Sequence, residues 1–494
     1  MHRIYSNALI SNNLFVMKKM MLVTVGLFIL LTQGYTQDSS GQTSALTLKE
    51  CIETALANNI NVKTSEYAME NDKVSLQLAR GQLLPSLNSS IVHGNQQGRN
   101  INPYTNSYIN QSINYANYGL DGSITLFNGL SVQNGIRQYS LNYEAGKMDV
   151  QQQRDNITIS VILAYLTVLS NQDQLTLANQ QADVTRKQVE RLEILNKEGA
   201  IAPSTLYDLK GQLGTDELNV VSTKNALETA KLTLAQLMNV SYTEDILLAR
   251  IYDETTPVLY EGAVDDIYAQ ASKNLAIVKE SELYHRSAVA GIKAAKGQLY
   301  PKLYLNGGIG TNYSSGAYTQ HRIDSVDGPT KGYVVVENNK IDVWAPQETY
   351  ANSKISYGSQ WKNNFNSYVG VTLSIPLLNG LQAKSRVRQA EITEKQTSFQ
   401  EQTTKLQLKQ AIEQAYVNMK AAFQTYTTVN QQVKDFEESF RAAEIKFNEG
   451  VLTSVDYLII KSSVDKARTN LISARYNYIL RSKILDYYQS KPLW

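Results

Sequence analysis

Cysteine is all but missing: Cys51 is the only one in 494 residues, so no disulfide can form within the chain. The four histidines, His2, His93, His285 and His321, lie too far apart for a zinc, haem or iron–sulfur site, and no metal or cofactor is expected. An excess of either charge is also lacking. Lys and Arg number 47 against 45 Asp and Glu, a balance of +2 that gives no electrostatic reason for a nucleic-acid partner. There is no P-loop, His-Glu-x-x-His or Gly-x-Ser-x-Gly, so neither catalysis nor nucleotide-driven transport is expected. Proline is scarce, at 9, whereas tyrosine is plentiful, at 31. Beyond Leu31 no apolar run reaches the length of a membrane-spanning helix.

What is present begins with an export signal over residues 1–36. From Met17, Lys18 and Lys19 precede the apolar run Met20–Leu31, followed by Gly34-Tyr35-Thr36-Gln37. Residues 1–16 fit no part of that pattern, which makes Met17 an alternative start. Cys51 falls in a helical stretch away from any cleavage site, so no lipid anchor is expected there.

The remainder reads as two copies of one unit. Ala79-Arg80-Gly81-Gln82-Leu83-Leu84-Pro85 returns 216 positions later as Ala295-Lys296-Gly297-Gln298-Leu299-Tyr300-Pro301. Leu126-Phe127-Asn128-Gly129-Leu130 returns 251 positions later as Leu377-Leu378-Asn379-Gly380-Leu381, and Glu198-Gly199 and Lys210 return as Glu449-Gly450 and Lys461. The difference, 35 residues, belongs to one enlarged loop between Leu303 and Leu377. The expected repeats are residues 37–247 and 248–494.

Each repeat divides by period. Gly450 is the only Gly or Pro between Leu381 and Lys491, so two long helices should meet there. Leu408, Ile412, Ala415, Met419, Ala422, Tyr426, Val429, Val433, Phe436, Phe440, Ala443 and Phe447 keep the 4–3 rhythm of a coiled-coil seam. In the first copy Asn171, Thr185 and Asn196 interrupt that rhythm, which predicts a looser seam. Leu206, Leu213, Val220, Leu227 and Leu234, and in the second copy Tyr457, Val464, Leu471, Tyr478 and Leu485, continue it every seven residues. Each repeat therefore ends in a helical hairpin turning at Gly199 or Gly450, with arms reaching roughly 100 Å.

Strand patterns precede these hairpins. Val369, Val371, Leu373, Ile375 and Leu377 alternate with small or polar residues, as do Tyr118, Leu120, Gly122, Ile124 and Leu126. Together with segments starting at Leu87 and Leu303 they give β-hairpins over 86–127 and 302–377, each with a long polar loop, Gly94–Asn117 or Asn312–Asn366. Four strands cannot close a transmembrane barrel, and an open edge cannot face lipid, so several chains must share one barrel. A dimer would supply eight strands and a trimer twelve. A pore-less coiled-coil scaffold, periplasmic or on the surface, is the rival reading, though it has no need of strands.

The duplicated halves, the Gly-Gln-Leu-x-Pro runs, the Asn-Gly-Leu exits and the stretch Gly450-Val451-Leu452-Thr453-Ser454-Val455-Asp456 resemble the TolC-type outer-membrane efflux channel family. That resemblance implies an α+β homotrimer: a twelve-stranded barrel in the outer membrane lipid, continued by a long α-helical barrel in the periplasm. It implies a passive exit duct for a tripartite efflux or type I secretion system, with a periplasmic adaptor and an inner-membrane pump as partners. Residue by residue, Gly199, Ala200, Ile201 and Ala202 and Gly450, Val451, Leu452 and Thr453 match the adaptor-docking hairpin tips. Asp456 matches an acidic residue at the entrance constriction, where three copies would gather carboxylates around an axis and attract cations. Ile459 and Leu452 stand where the family carries a second acid and an arginine, so an arginine-held double acidic ring is not expected.

Overall fold

A computed structural model describes residues 45–101, 107–242, 246–250 and 257–493; the expected export signal lies outside them. Among the described residues the chain divides into a small unit, residues 45–46 with 246–249, and a large unit with the rest. In the small unit Leu46 and Leu248 form an isolated parallel bridge.

The large unit opens with α1 (Leu48–Asn58) and α2 (Ile60–Gly81). A capping box starts α1: the Glu50 N–H donates to Thr47 Oγ1, while the Thr47 N–H donates to Glu50 Oε2 at 2.8 Å. Asn59, in extended backbone, ends it and caps α2 by accepting from the Asn61 N–H at 2.9 Å. Next come β1 (Ser86–Gln96), the short β2 (Arg99–Ile101) and β3 (Tyr108–Asn110), and β4 (Ile113–Phe127). The long α3 (Ser131–Lys197) and α4 (Pro203–Met238) close the first half. The second half runs α5 (Val264–Asn274), α6 (Ala276–Gly297), β5 (Lys302–Ser314), β6 (Tyr318–Val336), β7 (Asn339–Lys354), α7 (Tyr357–Asn363), β8 (Asn366–Ser374), α8 (Gln382–Asn448) and α9 (Ser454–Tyr488).

The shifts seen in the sequence recur in the elements. α5 and α6 begin 216 positions after α1 and α2, and α8 and α9 begin 251 after α3 and α4. Even the strand register repeats: Ser86 faces Ser123, and Lys302 faces Ser374. The four strands form one antiparallel sheet in the order β1-β4-β5-β8. Among the described residues β1 and β8 each have a single neighbour.

Three expectations need correction. β8 ends at Ser374, so Ile375 and Leu377 leave the ladder; Pro376 has no N–H to offer it. The enlarged segment is not a coil, because β6 and β7 form a second antiparallel ribbon and α7 packs on β5. Glu337 and Asn338, both with positive φ, make the two-residue turn that fixes the ribbon's register, and a glutamate at the first position hid that signal. The first long helix is not loosely packed either: Thr185 is buried and donates to Asp216, while the Asn171 amide donates to the Ala226 carbonyl at 3.1 Å. These two polar seam residues are satisfied across the hairpin.

Two apolar clusters hold the helices together. Ile267, Ala271 and Val278 pack with Leu408, Ile412, Met419 and Leu485, which joins α5 and α6 to α8 and α9. Val189, Leu192, Leu206 and Leu209 pack with Phe447 and Tyr457, which joins the ends of the two helical hairpins.

Candidate functional site

Both hairpin tips turn by the same device. Gly199 (φ +72°) and Gly450 (φ +74°) are left-handed, a conformation that costs little only without a Cβ. The Ala200 N–H donates to the Leu195 carbonyl and the Gly199 N–H to that of Asn196; Val451 to Lys446 and Gly450 to Phe447 repeat the pair. This is a Schellman cap at each end, satisfying carbonyls the helix leaves open. The tips differ in how the chain re-enters a helix. Pro203 opens α4 with no side-chain cap, whereas Thr453 caps α9, accepting from the Asp456 N–H at 3.1 Å.

Asp456 is exposed in that first turn, and its Oδ2 accepts from the Thr453 hydroxyl at 2.7 Å. Of the apolar tip residues, Ile201 and Leu452 pack inward against the cluster around Phe447 and Tyr457. Val451 points into solvent, 76% exposed, with Ala200 and Ala202 exposed on the other tip. Ile459, a turn beyond Asp456, is exposed too. Arg191 Nη2 donates to the Asn448 carbonyl at 2.7 Å, tying the first long helix to the end of the second.

Beneath the tips lies a polar cluster that the repeat alone did not reveal. Lys461 is 2% exposed, and its Nζ donates to Asp216 Oδ2 at 3.1 Å and to Asp465 Oδ2 at 2.6 Å. Asp216 also accepts from Gln212 at 2.7 Å and from Thr185. Burial pushes the Asp465 pKa up, against the pull of the Lys461 cation. Lys210, the counterpart of Lys461, sits instead at the surface, 2.7 Å from Glu193. One signal was available: Asp216 occupies the heptad position shared by Leu209, Ala230 and Leu237, so a charge stood on a seam. Close by, the buried Tyr457 ring stacks on Phe447 at 4.4 Å.

At the other end of the helices, the sheet has two unlike faces. Register puts Leu87, Ile91, Tyr118, Leu120, Ile124, Leu305, Ile309, Val369, Val371 and Leu373 on one side. The opposite side carries Ser86, Asn88, Asp121, Ser123, Asn306, Tyr368 and Thr372. There the Tyr368 hydroxyl donates to Asp121 Oδ1 at 2.9 Å and the Asn306 amide to Thr372 Oγ1 at 3.0 Å. Many of the apolar residues, Val369 and Val371 among them, are widely exposed. A sheet with one apolar face, one hydrogen-bonded polar face and two open edges suits lipid outside and water within.

The joint between the halves is equally informative. β4 pairs with β5, and α3 packs along α6, where Ser131 Oγ donates to the Ala294 carbonyl at 2.8 Å. Gly129 and Gly297 let the backbones touch: a Cβ on Gly297 would lie 2.7 Å from the Gly129 carbonyl oxygen. By the two shifts, the corresponding glycines are Gly380 and Gly81. Nothing stands near either of them. Likewise Ala276 and Ala290 of α6 are buried, while their counterparts in α2, Ile60 and Val74, are exposed. Tyr67 of α2 and Ile392, Phe399 and Leu406 of α8 complete two uncovered stripes with a spacing of seven. Among the described residues, then, one copy of the joint is made and the other is open at both ends. No group of metal-ligating side chains and no helix apolar enough to cross a membrane occurs among them.

A family model described as outer membrane efflux protein matches residues 51–240 and 267–486. The chain is 22% identical to the outer membrane protein TolC of Escherichia coli (strain K12) over 471 residues, 94% of this chain and 85% of that protein. The crystal structure of the outer membrane protein VceC from Vibrio cholerae is similar in fold, with a TM-score of 0.70 at 14% identity, covering 90% of this chain and 97% of that one. The Campylobacter jejuni CmeC outer membrane channel matches with a TM-score of 0.70 at 15% identity, covering 90% and 87%.

Proposed function

The chain belongs to the outer membrane efflux protein family, and on that premise we propose that three copies close one twelve-stranded barrel in the outer membrane and extend it into the periplasm as a helical tunnel. It is a passive exit duct. Residues 1–36 act as a removable leader, and residues 37–247 and 248–494 are two repeats that each furnish one sixth of the wall. The family match, which itself falls in two stretches, supports that division.

The open joint carries this reading. Applying the two shifts to the β4–β5 register sets Leu373 opposite Ile91 of the next copy and Val371 opposite its His93. Gly380 then meets the next copy's Gly81 as Gly129 meets Gly297, and the stripes on α2 and α8 cover each other. Closure removes the edges that lipid cannot satisfy. The test is disulfide trapping in a Cys51→Ser background. Ile91→Cys with Leu373→Cys should give covalent dimers and trimers on oxidation, because directly opposed strand residues bring their Cβ atoms to about 4.5–5.5 Å. Ile91→Cys with Thr372→Cys, on opposite faces, should give none. A chain that remains monomeric in both cases overturns the proposal.

The tips face an adaptor, which passes on cargo from an inner-membrane pump. Val451 is the apolar tip residue most open to a partner, and Val451→Glu should abolish cross-linking to the adaptor while trimers persist. Leu452→Glu, by contrast, places charge in the cluster under the tip and should loosen the tip itself. At the entrance constriction, three Asp456 carboxylates form a weak cation-attracting ring. Asp456→Asn should lower cation selectivity, read as a shift in single-channel reversal potential. An unshifted potential would leave Asp456 as a helix-capping residue favoured by the dipole, a role its bond with Thr453 already gives it.

A further inference from the structure

On the apolar face of the sheet, at the end remote from the long helices, α7 lies against the strands. The Tyr118 and Trp361 rings are 4.7 Å apart and the Tyr313 and Tyr357 rings 4.6 Å apart, while the Tyr118 and Tyr357 hydroxyls share a hydrogen bond. The helix is fastened in place. Gln360, fully buried, accepts from the Ser314 N–H and donates to the Ser314 and Ile355 carbonyls, all near 3.0 Å. Thr311 donates to the Trp361 carbonyl at 2.9 Å, and Asn364 to that of Asn312 at 2.8 Å. Between α7 and the strands runs a groove of about 270 Å³ walled by Ile91, Leu120, Ile309, Trp361 and Phe365. Ser89 and Thr311, small residues of the same face, leave it open to the strand surface.

We propose that α7 is an interfacial anchor and that this groove seats an acyl chain of an outer-leaflet lipid. The inference rests on the apolar face being the one turned to lipid, as the barrel reading has it. Three observations select this occupant. The groove is continuous with the apolar band of the strands, so lipid chains already lie at its mouth. A neighbouring copy joins in the plane of the sheet, along β1 and β8, whereas the groove lies off that plane. The side chains around it pair apolar rings with polar tips: Tyr357 and Trp361 remain about half exposed (46% and 45%) although each is held against the strands. Such residues settle where hydrocarbon meets headgroups. The anchor is built wholly from the enlarged segment of the second half, so each chain supplies one.

The experiment uses the reconstituted full-length channel with Trp344→Phe and Trp494→Phe, which leaves Trp361 as the only indole. Phosphatidylcholine vesicles carry lipids brominated either close to the glycerol backbone or deep in the acyl chain. Shallow bromines should remove most of the Trp361 emission and deep ones clearly less. A Trp344-only chain, reporting from the exposed ribbon, should keep its emission with both. A third reporter, Val371→Trp with the three native tryptophans replaced by Phe, tests the barrel and should be quenched from within the chain region. If Val371→Trp is quenched while Trp361 is not, the anchor falls and the barrel stands; if neither is quenched, both fall. Leu120→Trp, on a central strand away from the joint, crowds the groove and should cost the channel a lipid that survives delipidation in native mass spectrometry. Equal retention of that lipid overturns the seated chain.

Discussion

Lys461 is a cation with almost no access to water, held by Asp216 and Asp465 from two different helices. Removing it alone leaves two carboxylates facing each other in a poorly solvated gap. Lys461→Met should therefore cost about 3–5 kcal/mol, seen as a lower helical melting temperature of the detergent-solubilised protein. Lys461→Met combined with Asp216→Leu and Asp465→Leu should recover much of that loss, since an apolar replacement for a whole buried ionic cluster is often neutral. Glu280 on α6 gives a pH-dependent counterpart. Burial, and after it the Asp149 carboxylate, push its pKa up from 4.5 to about 7. Between those values the folded protein holds a proton that the unfolded chain has released, so stability falls as pH rises through this window. Glu280→Gln should flatten the slope of melting temperature against pH there and raise the melting temperature on its alkaline side. At this scale the sequence was least legible. Lys461 stood out only as a repeat match, and nothing local to Asp216 or Glu280 announces which helix will cover it.

The elements themselves were far easier to read. A run without Gly or Pro, an unbroken 4–3 rhythm and one glycine between two such runs leave few alternatives to a helical hairpin, and the tips fall at Gly199 and Gly450. Alternation placed the four sheet strands for the same reason: only one face could bury apolar groups in lipid. The ribbon of β6 and β7 was missed because its turn lacks glycine and both of its faces are mixed, so its register comes from cross-strand pairs such as Val334 with Ile341. The glycines separate two kinds of constraint. Gly199→Ala meets no neighbour and should cost only the left-handed backbone, about 1–2 kcal/mol in melting experiments. Gly129→Ala carries the same backbone cost and also drives a methyl group into the Gly297 carbonyl. It should lose far more, enough to reduce the yield of folded protein.

For the whole molecule the contrast is between Gly297 and Gly81. A side chain at Gly297 collides within the chain, whereas one at Gly81 meets empty space and sits in a helix that favours it. Gly81→Val should thus leave the isolated chain's helical spectrum intact and still prevent heat-modifiable trimers from forming, because its obstacle belongs to the next copy. Trimers in normal yield would count against the proposed joint. This part of the site was legible in principle, since two shifts and one covered joint are enough to locate the other; what the sequence withheld was which joint the chain would complete by itself.

Only one half of the chain carries the ribbon of β6 and β7, while both halves end in near-equivalent hairpin tips. In the proposed trimer the two mouths therefore count differently. A ring of partners approaching from the pump side meets six similar landing points, whereas a ligand arriving from outside meets three ribbons. Stoichiometry measured at one mouth should not be carried over to the other.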